Sequence, residues 1–127
     1  MFDLEPKTED LARRVIGAAI EVHRTLGPGF LEKVYQRAMS VELDYQGIEH
    51  RVESPITVWY RDVNVGEGRA DILVTDHLII ELKTVDAISD IHRAQVLSYL
   101  KATGLRLGLL MNFNTPVLKD GIQRIIR

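Results

Sequence analysis

GRADILVTDHLIIELK, residues 68–83, decides how this chain is read. It divides into an apolar run, Arg69 to Val74, a turn at Thr75-Asp76-His77, and a second apolar run, Leu78 to Lys83. That is the pattern of a β-hairpin. Three polar groups interrupt it: Asp71, Glu81 and Lys83. Glu81 and Lys83 stand two apart, so on a strand they project from one face while Ile80 and Leu82 turn to the other, into a core. A turn centred on residues 75–77 brings Asp71 nearly opposite Glu81, a register that a one-residue slip would undo.

The flanking sequence supplies cover for this hairpin. Residues 1–7 read as a lead-in, and Thr8 is placed to cap a helix, with Glu9 and Asp10 in the first turn where the helix dipole favours acids. Leu11, Val15, Ala18, Ala19 and Val22 recur at helical spacing until Leu26-Gly27-Pro28-Gly29 closes the segment. A second helix is expected from near Phe30, with the stripe Leu31, Val34, Tyr35, Ala38 and Met39, extended by Val41 and Leu43 and stopped by Gly47. The glycine-rich joint between the helices is a connection and not a phosphate loop, because no strand precedes it and the glycine spacing is wrong. Beyond Gly47, Ile48, His50 and Val52 alternate, as do Ile56, Val58 and Tyr60. Pro55 between these runs demands a break or an edge position. Arg61 to Gly66 reads as a turn with short extended flanks.

After the hairpin, residues 84–89 form a loop in which Ser89 or Asp90 can cap a third helix. That helix carries Ile91, Ala94, Gln95, Leu97, Ser98 and Leu100 and ends at Gly104. Leu105 to Met111 is apolar enough for a central strand covered on both faces. A short last strand spans Ile122 to Ile126. The order ααβββαβ(β), helices on a mixed β-sheet, predicts an α/β fold in a single domain over residues 1–127.

Composition narrows the function classes. A chain of 127 residues buries roughly 65% of its unfolded surface, enough for one core. With no cysteine there is neither a disulfide nor a thiolate metal site, which suits a cytoplasmic protein. The acidic start MFDLEPKTED is not the pattern of a signal peptide, and no apolar run approaches bilayer length. A net charge of -2 excludes a basic, nonspecific nucleic-acid coat. Scattered basic residues, among them Arg13, Arg14, Arg24, Lys33 and Arg37, form no compact patch. No His-x-x-x-His pair or other zinc pattern is present, and His50, His77 and His92 read as surface or local structural residues.

Two carboxylates as close as Asp71 and Glu81 repel each other, so they need a cation or a shared proton. Magnesium takes carboxylate oxygens and keeps waters for a substrate phosphate, and a backbone carbonyl such as that of Leu82 can complete its shell. In phosphodiester hydrolysis the ion polarises the phosphoryl group, and Lys83 would orient or help deprotonate the attacking water, or neutralise transition-state charge. A Glu-x-Lys pair is also an ordinary cross-strand ion-pair element on a wet sheet.

Longer motifs add to this reading. Gly29-Phe-Leu-Glu32-Lys-Val-Tyr35 lies within VHRTLGPGFLEKVY, residues 22–35, and is followed by GRADILV, IIELK and IHRAQVLSYLKATGLRLGLLMNF, residues 91–113. In these stretches the chain resembles the family named for a Gly-x-x-Glu-x-x-Tyr (GxxExxY) motif, within the PD-(D/E)XK nuclease-like superfamily, from about Leu11 to Phe113. The resemblance implies a restriction-endonuclease-like three-layer core. It implies Asp71, Glu81 and Lys83 as catalytic residues, with Ala70 standing where the superfamily's nominal proline would be. It further implies Glu32, with Asp71 and Glu81, as ligands of Mg2+ or Mn2+. Gln95 and Tyr99 resemble the Gln-x-x-x-Tyr element of RecB-like exonucleases. Four apart on a helix, they share a face, where they serve either the site or helix–sheet packing. Tyr35 reads as packing with a satisfied hydroxyl. His23 reads as a helix C-terminal residue or as support for the site. Trp59 and Tyr60 could stack a base or cover an edge.

The expected function is therefore that of a hydrolase: metal-dependent cleavage of nucleic acid, DNA in particular. DNA binding, cytoplasmic location, no membrane, and a homo-oligomer or accessory protein partner complete the expectation. The alternative is a non-catalytic binding or assembly protein that keeps the nuclease fold.

Overall fold

A computed structural model describes residues 4–127. Helix α1 spans Pro6–Leu26, with a proline at its start, where a missing N–H costs nothing. Thr8 is thus inside the helix and is not its cap. Its buried hydroxyl instead faces His77 Nδ1 at 3.3 Å. The expected lead-in is helical from Pro6 onward, and its first three residues lie outside the described ones. Small residues on the inner face, Ala12, Ala18 and Ala19, are fully buried in the core, where α1 packs beside α2 and the later 3-10 turn, and Gly27 (φ 71°) turns the chain out.

Helix α2 spans Glu32–Tyr45, starting two residues later than the sequence suggests. Its buried face is Tyr35, Gln36, Met39 and Leu43, whereas Leu31, Val34 and Val41, expected in the core, are exposed. Hydrophobicity alone misjudged the inner face because a buried glutamine occupies part of it. Strands β1 (His50–Tyr60) and β2 (Val63–Val74) form a long antiparallel hairpin. Arg61 and Asp62 make its two-residue turn, both at positive φ, the type that matches strand twist. The turn is therefore shorter than expected. Pro55 does not break β1, which is an edge strand where a missing donor is tolerated. Trp59 and Tyr60, each 63% exposed, lie outside the core on this edge strand.

Strand β3 (Leu78–Lys83) pairs antiparallel with β2 and parallel with β4 (Leu107–Asn112). Helix α3 (Asp90–Thr103) makes the crossover between β3 and β4, and β5 (Ile122–Ile126) closes the far edge after a 3-10 turn at Leu118–Gly121. The strands are ordered β1-β2-β3-β4-β5 in one mixed sheet.

One core joins α1 and α2 to Ile72, Leu78, Ile80, Leu82, Leu109 and Met111. A second joins Val96 and Leu100 of α3 to Ile56, Ala70, Ile79 and Leu110 on the opposite face. This is the three-layer α/β arrangement of a restriction-endonuclease-like fold. Strands β3 and β4 are buried on both faces, as a central parallel pair requires. Ile91 does not join the α3 core; it is 73% exposed.

Candidate active site

Residues two apart on a strand share a face, yet Ala70 belongs to the core under α3 and Ile72 to the core under α1 and α2. Strand β2 therefore turns over at Asp71. Opposite it on β1, Glu53 sits at positive φ (49°). The regular ladder between β2 and β3 stops at the Ile72–Ile80 pair, one residue short of Asp71 and Glu81.

Side chains continue where the ladder stops. The Asp71 N–H donates to Glu81 Oε2 at 2.7 Å, and the Leu82 N–H donates to Asp71 Oδ2 at 2.8 Å. Each carboxylate thus satisfies a backbone donor of the other's strand, and the two are locked at the splayed end of the hairpin. Glu81 is only 3% exposed. Burial, reinforced by the Asp71 charge, pushes its pKa up to about 8, against which the Asp71 N–H and Lys83 act only partly.

Glu32 is the first residue of α2 and sits within electrostatic reach of this pair. Its pKa is raised by partial burial and by Asp71, with Lys83 and Lys33 opposing. Lys83 Nζ donates to Gln95 Oε1 at 3.4 Å, and Gln95 Nε2 to the Tyr99 hydroxyl at 3.4 Å. Both are long bonds, at the weak end of the range. Tyr99 lies across Gly68, so close that a Cβ there would meet its ring at 2.6 Å. The structure therefore brings Asp71, Glu81, Lys83, Gln95 and Tyr99 into one connected set, with Glu32 beside it.

Tyr35 and His23 lie behind this set. The buried Tyr35 hydroxyl donates to Gly27 O at 2.6 Å and accepts from the Phe30 N–H at 3.1 Å. Its ring stacks on Phe113 at 4.6 Å. It pins the loop that leads into Glu32, which gives the Gly-x-x-Glu-x-x-Tyr spacing a physical meaning. Gly29 (φ 112°) allows the turn, the glutamate opens the helix, and the tyrosine one turn on ties the turn down. His23 Nε2–H donates to Thr115 O at 2.8 Å, a strut between α1 and the loop after β4.

Two residues that the sequence reading passed over also shape the site. Gln36, buried on α2, donates from Nε2 to the backbone carbonyl of Asp71 at 3.0 Å. Its only sequence signal was a polar residue four after Glu32, on the same helix face. Asn112, at the end of β4 beside Lys83, bonds both the N–H (3.1 Å) and the C=O (2.8 Å) of Val85. It fixes the loop that leaves Lys83.

Asp71 and Glu81 each use one oxygen for a backbone N–H, and the two carboxyl groups also face each other in a side-chain hydrogen bond, which takes a shared proton that a cation would replace. Two hard oxygens on a charge-strained pair fit Mg2+ or Mn2+ in kind. Among the described residues, no three His, Asp or Glu side chains gather closely enough to hold an ion between them. The chain thus offers two contact ligands, with Glu32 near.

The PD-(D/E)XK nuclease superfamily pattern matches residues 9–125, and this chain belongs to that superfamily. Its nucleases typically use divalent metals on nucleic-acid substrates. A crystal structure of the protein SSO0001 is similar to this chain, with a TM-score of 0.55 and 20% identity, over 75% of this chain and 49% of that one. That likeness extends to the fold, and this chain spans about half the length of that protein. No curated protein matches. Among the described residues, no helix is long and apolar enough to cross a membrane.

Proposed function

We propose that this chain is a nuclease of the Gly-x-x-Glu-x-x-Tyr family that hydrolyses nucleic-acid phosphodiester bonds, DNA in particular, with Mg2+ or Mn2+. The observation that carries the reading is the interlocked Asp71–Glu81 pair, two carboxyl groups held face to face with Lys83 on the same strand as Glu81. Asp71 and Glu81 would hold the ion, and Glu32 would act on its shell through water. When bound, such an ion supplies Lewis-acid polarisation of the phosphoryl group and neutralises the two carboxylates.

The remaining roles fall to the chain's own side chains. Lys83 orients the attacking water and offsets charge that develops on the phosphoryl oxygens. Gln95 and Tyr99, in the manner of the RecB-like element, hold the ammonium over the site. Tyr35 and Gln36 position Glu32 and the Asp71 backbone from behind. All of these side chains lie in one domain.

A second reading has an observation of its own. Each carboxylate already satisfies a backbone donor, so the pair also works as a structural clasp in a protein that binds without cutting. A nicking assay on single- and double-stranded DNA and RNA, with Mg2+ and Mn2+, separates the two. Wild type should cut and Asp71→Asn and Lys83→Ala should not. Equal activity in all three, or no activity and no metal binding by wild type, sinks the nuclease reading.

A further inference from the structure

We infer that the outer face of α2 is a dimer seam, on which a second copy of this chain packs its own α2 antiparallel about a two-fold axis. Leu31, Val34, Ala38, Val41 and Tyr45 alternate at spacings of three and four, the repeat of a coiled-coil seam. The protomer has little use for them. Leu31 is 79% exposed, Val41 70% and Tyr45 86%, and only Ala38 touches the core. The residues α2 gives to the core, Tyr35, Gln36, Met39 and Leu43, follow a separate set of helical positions. A solvated helix face has no reason to place apolar side chains at successive seam positions; a helix partner does.

Charge names the occupant. Arg37 and Asp44, seven apart, stand on the same flank of the seam. Within the protomer Arg37 has no ion-pair or hydrogen-bond partner among the described residues. The Asp44 side chain is 77% exposed, with only a 3.8 Å approach to the His50 ring. Arg37 falls in the first half of α2 and Asp44 in the second, while Lys33 is already paired with Glu53 at 3.1 Å. An antiparallel copy makes these halves complementary. Val34 then meets the partner's Tyr45, Ala38 meets the partner's Val41, and Arg37 lies beside the partner's Asp44. The two-fold axis repeats each pair, as an isologous contact requires. Glu42, on the other flank, is already engaged by Gln46 Nε2 at 2.8 Å. The small net charge of -2 sets up little overall repulsion between copies.

Sedimentation equilibrium of the full chain tests this directly. Wild type should dimerise over roughly the micromolar range. Arg37→Glu and Asp44→Arg should each weaken the dimer roughly tenfold or more, and the double variant R37E/D44R should recover it. Val41→Glu should leave monomer only. All four substituted positions or pairs are exposed, so circular-dichroism melts should stay near wild type and exclude misfolding as the cause. A monomer at every concentration overturns the inference, as does a dimer indifferent to Val41→Glu and to the charge swap. Association of this face only with a different macromolecule overturns it too.

Discussion

Asp71 and Glu81 each hold the other's strand. The Asp71 N–H rests on the Glu81 carboxylate at 2.7 Å, and the Asp71 carboxylate holds the N–H of Leu82 at 2.8 Å. Glu81 therefore stays buried where a charge is costly, and its pKa is pushed up to about 8 by that burial and by Asp71. An unfolded chain would release the same proton near 4.5. Between those values the folded state keeps a proton that the unfolded state has lost. Stability from this group is then fully present below 4.5 and is lost as pH rises through about 8. Metal-free protein should melt at progressively lower temperature from pH 5 to pH 9, and Glu81→Gln should flatten that slope. Calorimetry across this range checks both; a slope unchanged in the variant would refute the assignment.

A divalent cation relieves the same repulsion, so its binding should appear as stability. Mg2+ or Mn2+ should raise the melting temperature with concentration, more at pH 8 than at pH 5, where a proton competes for Glu81. Asp71→Asn keeps an oxygen for the Leu82 N–H but removes the charge, so it should fold and lose the metal response. Metal affinity in that variant should fall roughly 100-fold or more, since even residues that only support metal ligands are worth 10–100-fold. Isothermal titration measures it.

Much of this arrangement could be read from the chain. The two apolar runs and the turn at residues 75–77 located β3 and the second half of β2, whose start at Val63 lies in the stretch read as a turn, and the two-residue spacing set Glu81 and Lys83 on one face although β3 is buried on both. The double-sided burial of β4 followed from its unbroken apolar run. The α2 face was misjudged because its core side includes Gln36, while Leu31, Val34 and Val41 point out. A hydrophobic count cannot separate a core stripe from a seam when both lie on one short helix. The overturn of β2 at Asp71 was also invisible, since it depends on contacts across three strands. The roles of Gln36 and Asn112 rest on bonds to backbone atoms far along the chain, for which local spacing leaves no mark.

Tyr35→Phe should separate loop pinning from packing. The ring can still stack on Phe113, while the bonds to Gly27 O and from the Phe30 N–H disappear. A buried hydroxyl with two such bonds is worth about 1–2 kcal/mol. Denaturant unfolding should show a loss of that size with an unchanged m-value. If Glu32 depends on the loop, activity should fall further than stability accounts for.

Gly108 is required by contact rather than by backbone angle. A Cβ there would come within 2.4 Å of Val96 Cγ1, in the buried layer between β4 and α3. Gly108→Ala should cost about 1–3 kcal/mol through overpacking. Val96→Ala opens the space, so the double variant should lose less than the two single losses added together. Additive losses would show that α3 and β4 adjust independently.

Lys83 is the residue whose chemistry can be separated from folding most cleanly. It is half-buried at the end of β3, and its ammonium makes one long bond, to Gln95 at 3.4 Å. Removing it leaves no backbone group unsatisfied, so Lys83→Ala should change stability by less than about 1 kcal/mol. Its loss from a nuclease site should instead lower cleavage roughly 100-fold or more, with metal binding retained. Gln95→Ala removes the group that steadies the ammonium and should lower the rate only about tenfold, and Tyr99→Phe less again, because the bonds concerned are weak. Single-turnover cleavage with each variant at saturating metal orders the three. If Gln95→Ala were as damaging as Lys83→Ala, Gln95 would be touching substrate directly, and the lysine's role would have to be reassigned.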